Sequence, residues 1–168
     1  NPPVEGNWKT HYLWDEALCA DSLLDILQRF MHSAASERTV ETSTGFRTIR
    51  KEAMIFPRYH QLDSVRRLVS HAEAHGSGHN YLIQHSAGSG KSNSIAWLAH
   101  RLATLHNATD EKVFHSVIVI TDRRVLDQQL QNTIYQFEHK TGVVEKIDEN
   151  TQQLAKALSN GTPIIIST

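Results

Sequence analysis

One glycine-rich segment constrains the fold of this chain more than any other feature of its sequence. Residues 85–92 read His-Ser-Ala-Gly-Ser-Gly-Lys-Ser and directly follow a predicted strand at residues 81–84, which begins with the apolar run Tyr-Leu-Ile. An amphipathic helical pattern comes next, in which Ile95, Leu98 and Leu102 share one face. A strand, a glycine-rich turn ending in Gly-Lys-Ser and a helix together form a phosphate-binding loop. The segment therefore predicts a site for the phosphates of a nucleoside triphosphate.

The residue types in this segment suit an anion that loses its water on binding. Gly88 and Gly90 lack Cβ atoms, so the turn can adopt positive φ and its N–H groups can form a concave nest. The positive end of the following helix adds to the attraction. Lys91 is predicted to reach the β- and γ-phosphates and is the candidate catalytic residue. Ser92 is predicted to offer its hydroxyl to Mg²⁺.

His85 is a departure from the strict pattern, which has glycine at the first position of the loop. The alternative interpretation is a chance Gly-Lys-Ser sequence before a helix. The second glycine, Gly88, and the strand–turn–helix context argue against chance. A variable first position is typical of helicase-type loops rather than of small nucleotide kinases.

A second segment offers a site for the base of the nucleotide. Residues 56–61 read Phe-Pro-Arg-Tyr-His-Gln, and Gln61 lies 30 positions before Lys91. An amide can donate to and accept from one adenine edge, although a solvent-facing glutamine at a helix start is the alternative. With a phosphate loop at this distance we favour the adenine role, and the predicted cofactors are ATP and Mg²⁺. The predicted nucleotide contacts are Arg58, Gln61, His85, Ser86, Ala87, Gly88, Ser89, Gly90, Lys91 and Ser92.

Strands alternate with helices in residues 54–168, which predicts an α/β fold with a parallel sheet and right-handed crossovers. Besides the run before the loop, we expect apolar strands at residues 117–120, 143–147 and 164–166. Continuous apolar runs are typical of strands that are covered on both faces. Ligands of such sheets lie beyond the carboxyl ends of the strands, which is where residues 85–92 fall.

Residues 1–53 differ in pattern from the rest of the chain. A capped helical pattern covers residues 21–31, a stretch rich in Ser, Thr and Glu covers residues 33–45, and a strand-like run covers residues 46–56. Three residues make that last run basic on one side: Arg47, Arg50 and Lys51. We interpret residues 1–53 as a linker or as the edge of a neighbouring domain.

The composition is that of a globular domain without a strong charge bias. Of 168 residues, 39% are hydrophobic and 21% charged, and the net charge is −1. That charge argues against a dedicated basic DNA-binding domain, so any contact with nucleic acid must be a local patch. No apolar run has the length of a transmembrane helix, and we expect no membrane association. The single cysteine, Cys19, is expected to be buried and fits a reducing, cytoplasmic setting.

The residues after the strand at 117–120 allow three interpretations. Asp122 is a magnesium ligand at a strand end, or it caps the next helix. Alternatively, Arg123 or Arg124 pairs with DNA phosphates, with Gln129 in support. Because the arginines would compete for the carboxylate, we expect capping by Asp122 and a phosphate contact nearby.

Four polar residues have the spacing of a metal site: His71, Glu73, His75 and His79. Gly76 interrupts the helix that would have to present them. We therefore interpret the group as a polar helix end, where histidines suit the negative end of the helix dipole.

The motifs occur in a characteristic order along the chain. They are residues 56–61, residues 84–92, Asp122-Arg123 with Leu126 and Gln129, and Ile-Ile-Ile-Ser-Thr at residues 164–168. In this order the chain resembles the restriction (R) subunit of type I restriction-modification enzymes, a superfamily 2 helicase-like DNA translocase. The resemblance covers residues 54–168 well and residues 11–32 less specifically.

The resemblance implies that residues 54–168 are the N-terminal part of a RecA-like first motor lobe with a P-loop NTPase fold, preceded by a small helical and extended linker. It implies that Gln61 reads adenine, and it places Arg123 and Thr168 near the DNA backbone. The predicted DNA contacts are therefore Arg123, Arg124, Gln129 and Thr168. The implied partners are double-stranded DNA and the methylation and specificity subunits of the restriction complex.

In that family the nuclease residues, the acidic magnesium motif and the second motor lobe lie outside the matched positions. ATP hydrolysis needs groups from the last two. We therefore expect this chain, which begins at Asn1 without Met, to be a piece that binds nucleotide without hydrolysing ATP or cutting DNA. The alternatives are another superfamily 2 DNA or RNA helicase, a small P-loop phosphotransferase that uses Asp122 for magnesium, and a non-catalytic nucleotide-binding module.

Overall fold

The computed structural model divides into two compact units, Asn1–Tyr59 and His60–Thr168. The residues it describes are 6, 8, 10–42, 45–121, 124–137, 142–148 and 150–167. The helices are α1 Ala20–Arg29, α2 Tyr59–His75, α3 Lys91–Ala103, α4 Arg124–Gln136 and α5 Thr151–Ser159, and a π-helical turn Leu13–Ala17 precedes α1. The strands are β1 His32–Thr42, β2 Gly45–Ile55, β3 Val117–Ile120, β4 Val144–Ile147 and β5 Ile164–Ser167.

The first unit combines α1 with an antiparallel ribbon made of β1 and β2. The ribbon keeps one register throughout, from His32 opposite Ile55 to Thr42 opposite Gly45. The helical pattern predicted at residues 21–31 is confirmed by α1. The interpretation of residues 33–45 as a polar stretch missed β1, because its sequence is mostly polar and does not alternate between apolar and polar residues.

The second unit contains a parallel sheet in the order β3-β5-β4. Val117 of β3 and Val144 of β4 both align with Ile164 of the central strand β5. The isoleucines of β5 at positions 164–166 are fully buried, as their apolar run predicts. β3 is different, because only Val119 is buried and Ile120 is 76% exposed. The expectation that β3 is covered on both faces is therefore wrong.

The strand predicted at residues 81–84 is also absent from the structure. These residues form neither a strand nor a helix, and the side chain of Leu82 is 94% exposed. The hydroxyl of Tyr81 instead makes a hydrogen bond with Nδ1 of His71 at 2.7 Å. A strand requires hydrogen bonds from a neighbouring strand, and an apolar run supplies none of these by itself.

Helices α3 and α4 pack together through aromatic and polar contacts. The rings of Trp97 and Phe137 meet edge to face with centroids 5.7 Å apart. Nε2 of His100 donates to the carbonyl oxygen of Ile134 at 3.0 Å. Ile134 and Trp97 are almost completely buried. These contacts join the middle of α3 to the end of α4.

Helix α5 begins at a side-chain cap and packs on the sheet. The side chain of Asn150 accepts a hydrogen bond from the Gln153 N–H at 3.0 Å. Ala157 then packs with Ile147 and Ile165 in a small apolar cluster. A side chain only three residues away thus satisfies an N–H group in the first turn of α5.

Three expectations concern the surface. Cys19 is exposed, and its Sγ donates to the Glu16 carbonyl oxygen at 3.3 Å, so the expectation of a buried cysteine is wrong. Within the described part of the chain, no group of three or more His, Cys, Asp or Glu residues has the arrangement of a metal site. No helix in that same part is both long and apolar enough to cross a membrane.

Candidate functional site

Residues 85–92 form a turn that leads directly into α3. Gly88 has φ +73° and Gly90 has φ +81°, both in the left-handed region that favours glycine. The Ser89 N–H donates to the Ser86 carbonyl oxygen at 3.3 Å, which closes the turn. Gly90 is the N-cap residue of α3. A glycine cap supplies no side-chain acceptor for the first N–H groups of the helix, which suits binding of an anion there.

The ammonium group of Lys91 lies against the loop. Its Nζ donates to the carbonyl oxygen of Ser86 at 2.8 Å and to that of His85 at 3.3 Å. The Lys91 side chain is otherwise exposed to solvent. Hydrogen bonds between an ammonium and an anionic oxygen are stronger than those to neutral carbonyls. An anion at the loop can therefore replace the two carbonyl contacts with more favourable ones.

Two side chains from the first turn of α2 hold the other end of the loop. Nε2 of Gln61 donates to the carbonyl oxygens of Ser89 and Gly90, at 3.2 and 2.9 Å. Nε2 of His60 donates to the same Ser89 oxygen at 3.0 Å, which requires the ring tautomer with a proton on that nitrogen. The Gln61 side chain is only 3% exposed. The loop and α2 thus share a buried polar contact.

These contacts determine where the N–H groups of the loop point. In a trans peptide, the C=O of one residue and the N–H of the next point in opposite directions. The described residues contain no cis peptide. Since the carbonyls of Ser89 and Gly90 face α2, the N–H groups of Gly90 and Lys91 are directed away from it. Gln61 therefore orients two consecutive donors on the opposite side of the loop.

Gly90 is also required by the close approach of Gln61. A Cβ atom built on Gly90 would lie 2.5 Å from Nε2 of Gln61 and 3.6 Å from its Cδ. At Gly88, by contrast, an added Cβ would meet no atom within 4 Å. Backbone conformation thus explains Gly88, whereas conformation and packing together explain Gly90.

The comparison with known proteins agrees with an ATP-dependent function. The family model for the SWI2/SNF2 ATPase matches residues 60–168, which is more than half of the chain. The chain belongs to the SWI2/SNF2 ATPase family. No curated protein and no solved structure matches it.

Membership in the SWI2/SNF2 ATPase family makes the second unit a superfamily 2 helicase-like ATPase, for which ATP is the nucleotide. The three-stranded parallel sheet with its helices is consistent with part of a RecA-like lobe. The family match begins at His60, which is also where the second compact unit begins. The loop, the contacts from α2 and the sheet all lie within the matched region.

Two buried hydroxyls at the loop and its helix have no hydrogen-bond partner among the described atoms. They are Oγ of Ser89 and Oγ of Ser94. An unsatisfied buried polar group costs about 1–3 kcal/mol. A ligand bound at the loop would give the orphaned hydroxyl of Ser89 a partner.

The structure brings together most of the residues predicted to contact nucleotide. The segment from His85 to Ser92 is continuous, and Gln61 joins it through the contacts above. Ser92 is half-buried in the first turn of α3. Arg58 is exposed and belongs to the first unit.

The residues predicted to contact DNA are not tested by the structure. Asp122, Arg123 and Thr168 lie outside the described residues. Arg124 begins α4 and Gln129 lies within it, but their side chains are outside the described part. The DNA contacts remain predictions for this member of the SWI2/SNF2 ATPase family.

Sequence reasoning missed His60 as a residue of the site. Besides its bond to Ser89, its ring meets the ring of His85 edge to face, with centroids 4.8 Å apart. The available signal was its position beside Gln61 in the first turn of a helix, which places both side chains at the same end of α2.

The donor set of the loop fits a triphosphate. It combines an ammonium, consecutive N–H groups at a helix start and glycines that keep the backbone accessible. A separate cavity of about 660 Å³ is lined by residues 73–77, 107–109 and 111–113, and its lining includes no residue of the loop. The donor groups that suit a phosphate therefore lie at the loop and not in that cavity.

Proposed function

We propose that the chain is the ATP-binding part of a DNA-translocating motor and that residues 85–92 hold the phosphates of ATP. The observation that carries the proposal is the loop at the start of α3, with Gly88 and Gly90 at positive φ and Lys91 beside them. Its place within the region matched by the SWI2/SNF2 ATPase family supports ATP as the nucleotide. A small phosphotransferase is a weaker alternative because that family match favours a helicase-like ATPase.

The finer proposal is that the motor belongs to the restriction subunit of a type I restriction-modification enzyme. It is supported by the ordered sequence motifs, including the Phe-Pro-Arg-Tyr-His-Gln run at residues 56–61. In that role the partners are double-stranded DNA and the methylation and specificity subunits, in the cytoplasm. ATP supplies the energy for movement of the complete motor along DNA.

The residues of the loop have separate roles in this proposal. Lys91 exchanges its carbonyl contacts for phosphate oxygens. The N–H groups of Gly90 and Lys91 donate to the same phosphates, and Gln61 keeps these groups oriented through the carbonyls of Ser89 and Gly90. Mg²⁺, when bound, neutralises phosphate charge, and the hydroxyl of Ser92 is the candidate ligand that this chain provides.

Titration with a fluorescent ATP analogue tests the phosphate role. We expect Lys91→Ala to weaken binding by about 10- to 100-fold, because a charged hydrogen bond contributes about 1.5–3 kcal/mol. Lys112→Ala is the matched control, since Lys112 is also exposed and its Nζ donates to the His115 carbonyl oxygen at 3.4 Å. Equal affinities of wild type and Lys91→Ala would remove the phosphate-loop assignment.

A comparison of bases tests the adenine role of Gln61. The amide oxygen accepts a hydrogen bond from the amino group of adenine, whereas guanine has a carbonyl at that position. We expect Gln61→Ala to weaken binding of ATP more than binding of GTP. An equal loss for both nucleotides would mean that Gln61 acts only on the loop and does not contact the base.

A further inference from the structure

The side chain of His60, in the first turn of α2, contacts the nucleotide loop at two points. Its Nε2 donates to the carbonyl oxygen of Ser89 at 3.0 Å. Its ring also meets the ring of His85 edge to face, with centroids 4.8 Å apart. His85 is the first residue of the loop, and Ser89 lies at its turn before α3. One side chain therefore joins the beginning of the loop to that turn.

The carbonyl oxygen of Ser89 takes its hydrogen bonds from α2. Among the described residues its donors are Nε2 of His60 at 3.0 Å and Nε2 of Gln61 at 3.2 Å. Gln61 makes its shorter bond, at 2.9 Å, to the Gly90 oxygen instead. His60 is therefore the closer donor to the peptide group between Ser89 and Gly90. The N–H of Gly90 belongs to that peptide group and points away from α2.

The next peptide group, which begins at the Gly90 carbonyl, has additional support. Its oxygen accepts from the N–H groups of Asn93 and Ser94, at 3.1 and 3.3 Å, as well as from Gln61. Asn93 and Ser94 lie in α3, so their bonds remain when a side chain of α2 is replaced. The direction of the Gly90 N–H consequently depends on α2 more than the direction of the following N–H does.

We propose that His60 is a positioning residue for ATP, which acts by orienting the Gly90 N–H towards the phosphates. The proposal rests on the proposed function, because that function assigns the phosphates of ATP to residues 85–92. Ser89 is only 8% exposed, so its bond to His60 competes little with water. Hydrogen bonds in a chain polarise one another, so a donor on the Ser89 carbonyl makes the Gly90 N–H a stronger donor. His60 thus sets the direction and strength of one phosphate contact and needs no contact of its own with the nucleotide.

Titration with a fluorescent ATP analogue compares two replacements of His60. His60→Phe keeps a ring but has no donor, and it should weaken binding by about 2- to 12-fold, the effect of one neutral hydrogen bond. His60→Gln places an amide nitrogen as many bonds from the backbone as Nε2 of histidine, so it should weaken binding by less than about twofold.

His75→Phe is the matched control for the loss of a histidine donor in α2. Nδ1 of His75 also donates to a carbonyl oxygen at 3.0 Å, but that oxygen belongs to His71 at the other end of the helix. His75→Phe should bind the analogue as tightly as the wild type. A loss equal to that of His60→Phe would overturn the proposal, because the position of the donor would then not matter.

A second pair of variants separates positioning from stability. His60→Asn carries the same amide as His60→Gln on a side chain that is one carbon shorter and does not reach the Ser89 oxygen. It should lose affinity as His60→Phe does, whereas His60→Gln should retain it. A role in stability alone predicts equal affinities once each variant is folded, and the emission of the buried Trp97 reports folding.

Several other results would overturn the proposal. Unchanged binding by His60→Phe and His60→Asn would do so, and so would an equal loss in His60→Gln, because the donor would then have no role. Orienting the loop affects the phosphates and not the base, so the affinities of His60→Phe for ATP and GTP analogues should fall by the same factor. A loss confined to ATP would contradict the positioning role.

Lys91→Ala distinguishes this proposal from the proposed function. Weaker binding by Lys91→Ala with normal binding by His60→Phe would refute the positioning role alone. Normal binding by both variants, or no binding by the wild type, would refute the phosphate loop and the role of His60 with it. Weaker binding by His60→Phe alone would support the positioning role and refute the phosphate contact of Lys91.

Discussion

Replacing Gly90 with alanine tests the contact between the nucleotide loop and α2. Gly90 has φ +81°, and a Cβ atom there would lie 2.5 Å from Nε2 of Gln61. The amide therefore has to move, although it is buried and bonded to the carbonyls of Ser89 and Gly90. Gly88→Ala is the matched control, since its φ is +73° but its added Cβ meets no atom within 4 Å.

The magnitude follows from two separate effects. A non-glycine residue in the left-handed region costs about 1–2 kcal/mol, which applies to both alanine variants. Displacing Gln61 leaves a buried amide without its acceptors, which adds about 1–3 kcal/mol. The Gly90 carbonyl loses less, because it still accepts from the N–H groups of Asn93 and Ser94. We expect Gly90→Ala to lower the free energy of unfolding by about 2–5 kcal/mol and Gly88→Ala by about 1–2 kcal/mol.

Urea denaturation followed by tryptophan fluorescence measures these differences. Trp97 in α3 is 1% exposed and packs on Phe137, so its emission reports unfolding of the second unit. Trp8 and Trp14 are exposed and lie in the first unit. Because they are already in water, their emission should change little in the transition. The change in free energy is taken from the shift of the midpoint at constant slope.

A double-mutant cycle with Gln61→Ala isolates the steric contact. Without the Gln61 side chain, the effect of Gly90→Ala should fall to the conformational cost of about 1–2 kcal/mol. The effect of Gly88→Ala should be the same in both backgrounds. Equal costs for the two glycine variants in the wild type, or an unchanged Gly90→Ala cost in Gln61→Ala, would refute the reasoning.

Three other perturbations test the packing and electrostatics of the second unit. Ile165→Ala, in the buried central strand, should destabilise by about 2–5 kcal/mol in urea denaturation, whereas Ile120→Ala, at an exposed position, should change stability by less than about 0.5 kcal/mol. Asn150→Ala removes the cap on the Gln153 N–H and should lower the free energy of unfolding by about 1 kcal/mol, while Asn150→Ser should retain most of it. Desolvation, with two neighbouring histidines, lowers the pKa of His71 in the folded state. This group's contribution to stability is therefore fully present when the pH is above the ordinary pKa of histidine, and it is lost as the pH falls below that pKa. Thermal melting at about pH 8 and about pH 5 should show a smaller acid-induced decrease in His71→Asn than in the wild type, and an equal decrease would contradict the assignment.

Local patterns in the sequence predicted those elements whose stability depends on their own residues. The apolar run of β5 predicted a buried strand, and the helical spacing of Ile95, Leu98 and Leu102 predicted α3. Gly76, with φ +71°, follows the last residue of α2, as expected for a helix C-terminus. Spacing and caps are encoded within a few positions, so a pattern can identify them.

Elements that depend on distant partners could not be predicted in the same way. The runs at 81–84 and at β3 have similar apolar character to β5, but Leu82 and Ile120 are exposed. Conversely, β1 has no apolar pattern, yet it forms a strand. Its pairing with β2 uses backbone groups, which a side-chain pattern does not reveal. An apolar run indicates that burying its side chains would be favourable. Whether a strand forms depends on hydrogen bonds with a neighbouring strand.

At the nucleotide loop, too, the sequence indicated the type of residue but not its hydrogen-bond partners. Glutamine at position 61 was predicted as a polar contact for the nucleotide, from its distance to the loop along the chain. Its observed partners are the Ser89 and Gly90 carbonyls. Those acceptors carry no side-chain signature, so only the fold could reveal them. The accompanying role of His60 was missed for the same reason.

The departure of His85 from the glycine of the strict loop pattern has a conformational explanation. Among the described residues, Asp110 is the only non-glycine residue with positive φ, so the backbone at His85 is outside the left-handed region. A Cβ atom is compatible with such a backbone. The ring of His85 also contacts His60, which itself bonds to the loop at Ser89. Glycine is therefore needed where the loop turns at Gly88 and Gly90, while the first position can hold a side chain that packs against α2.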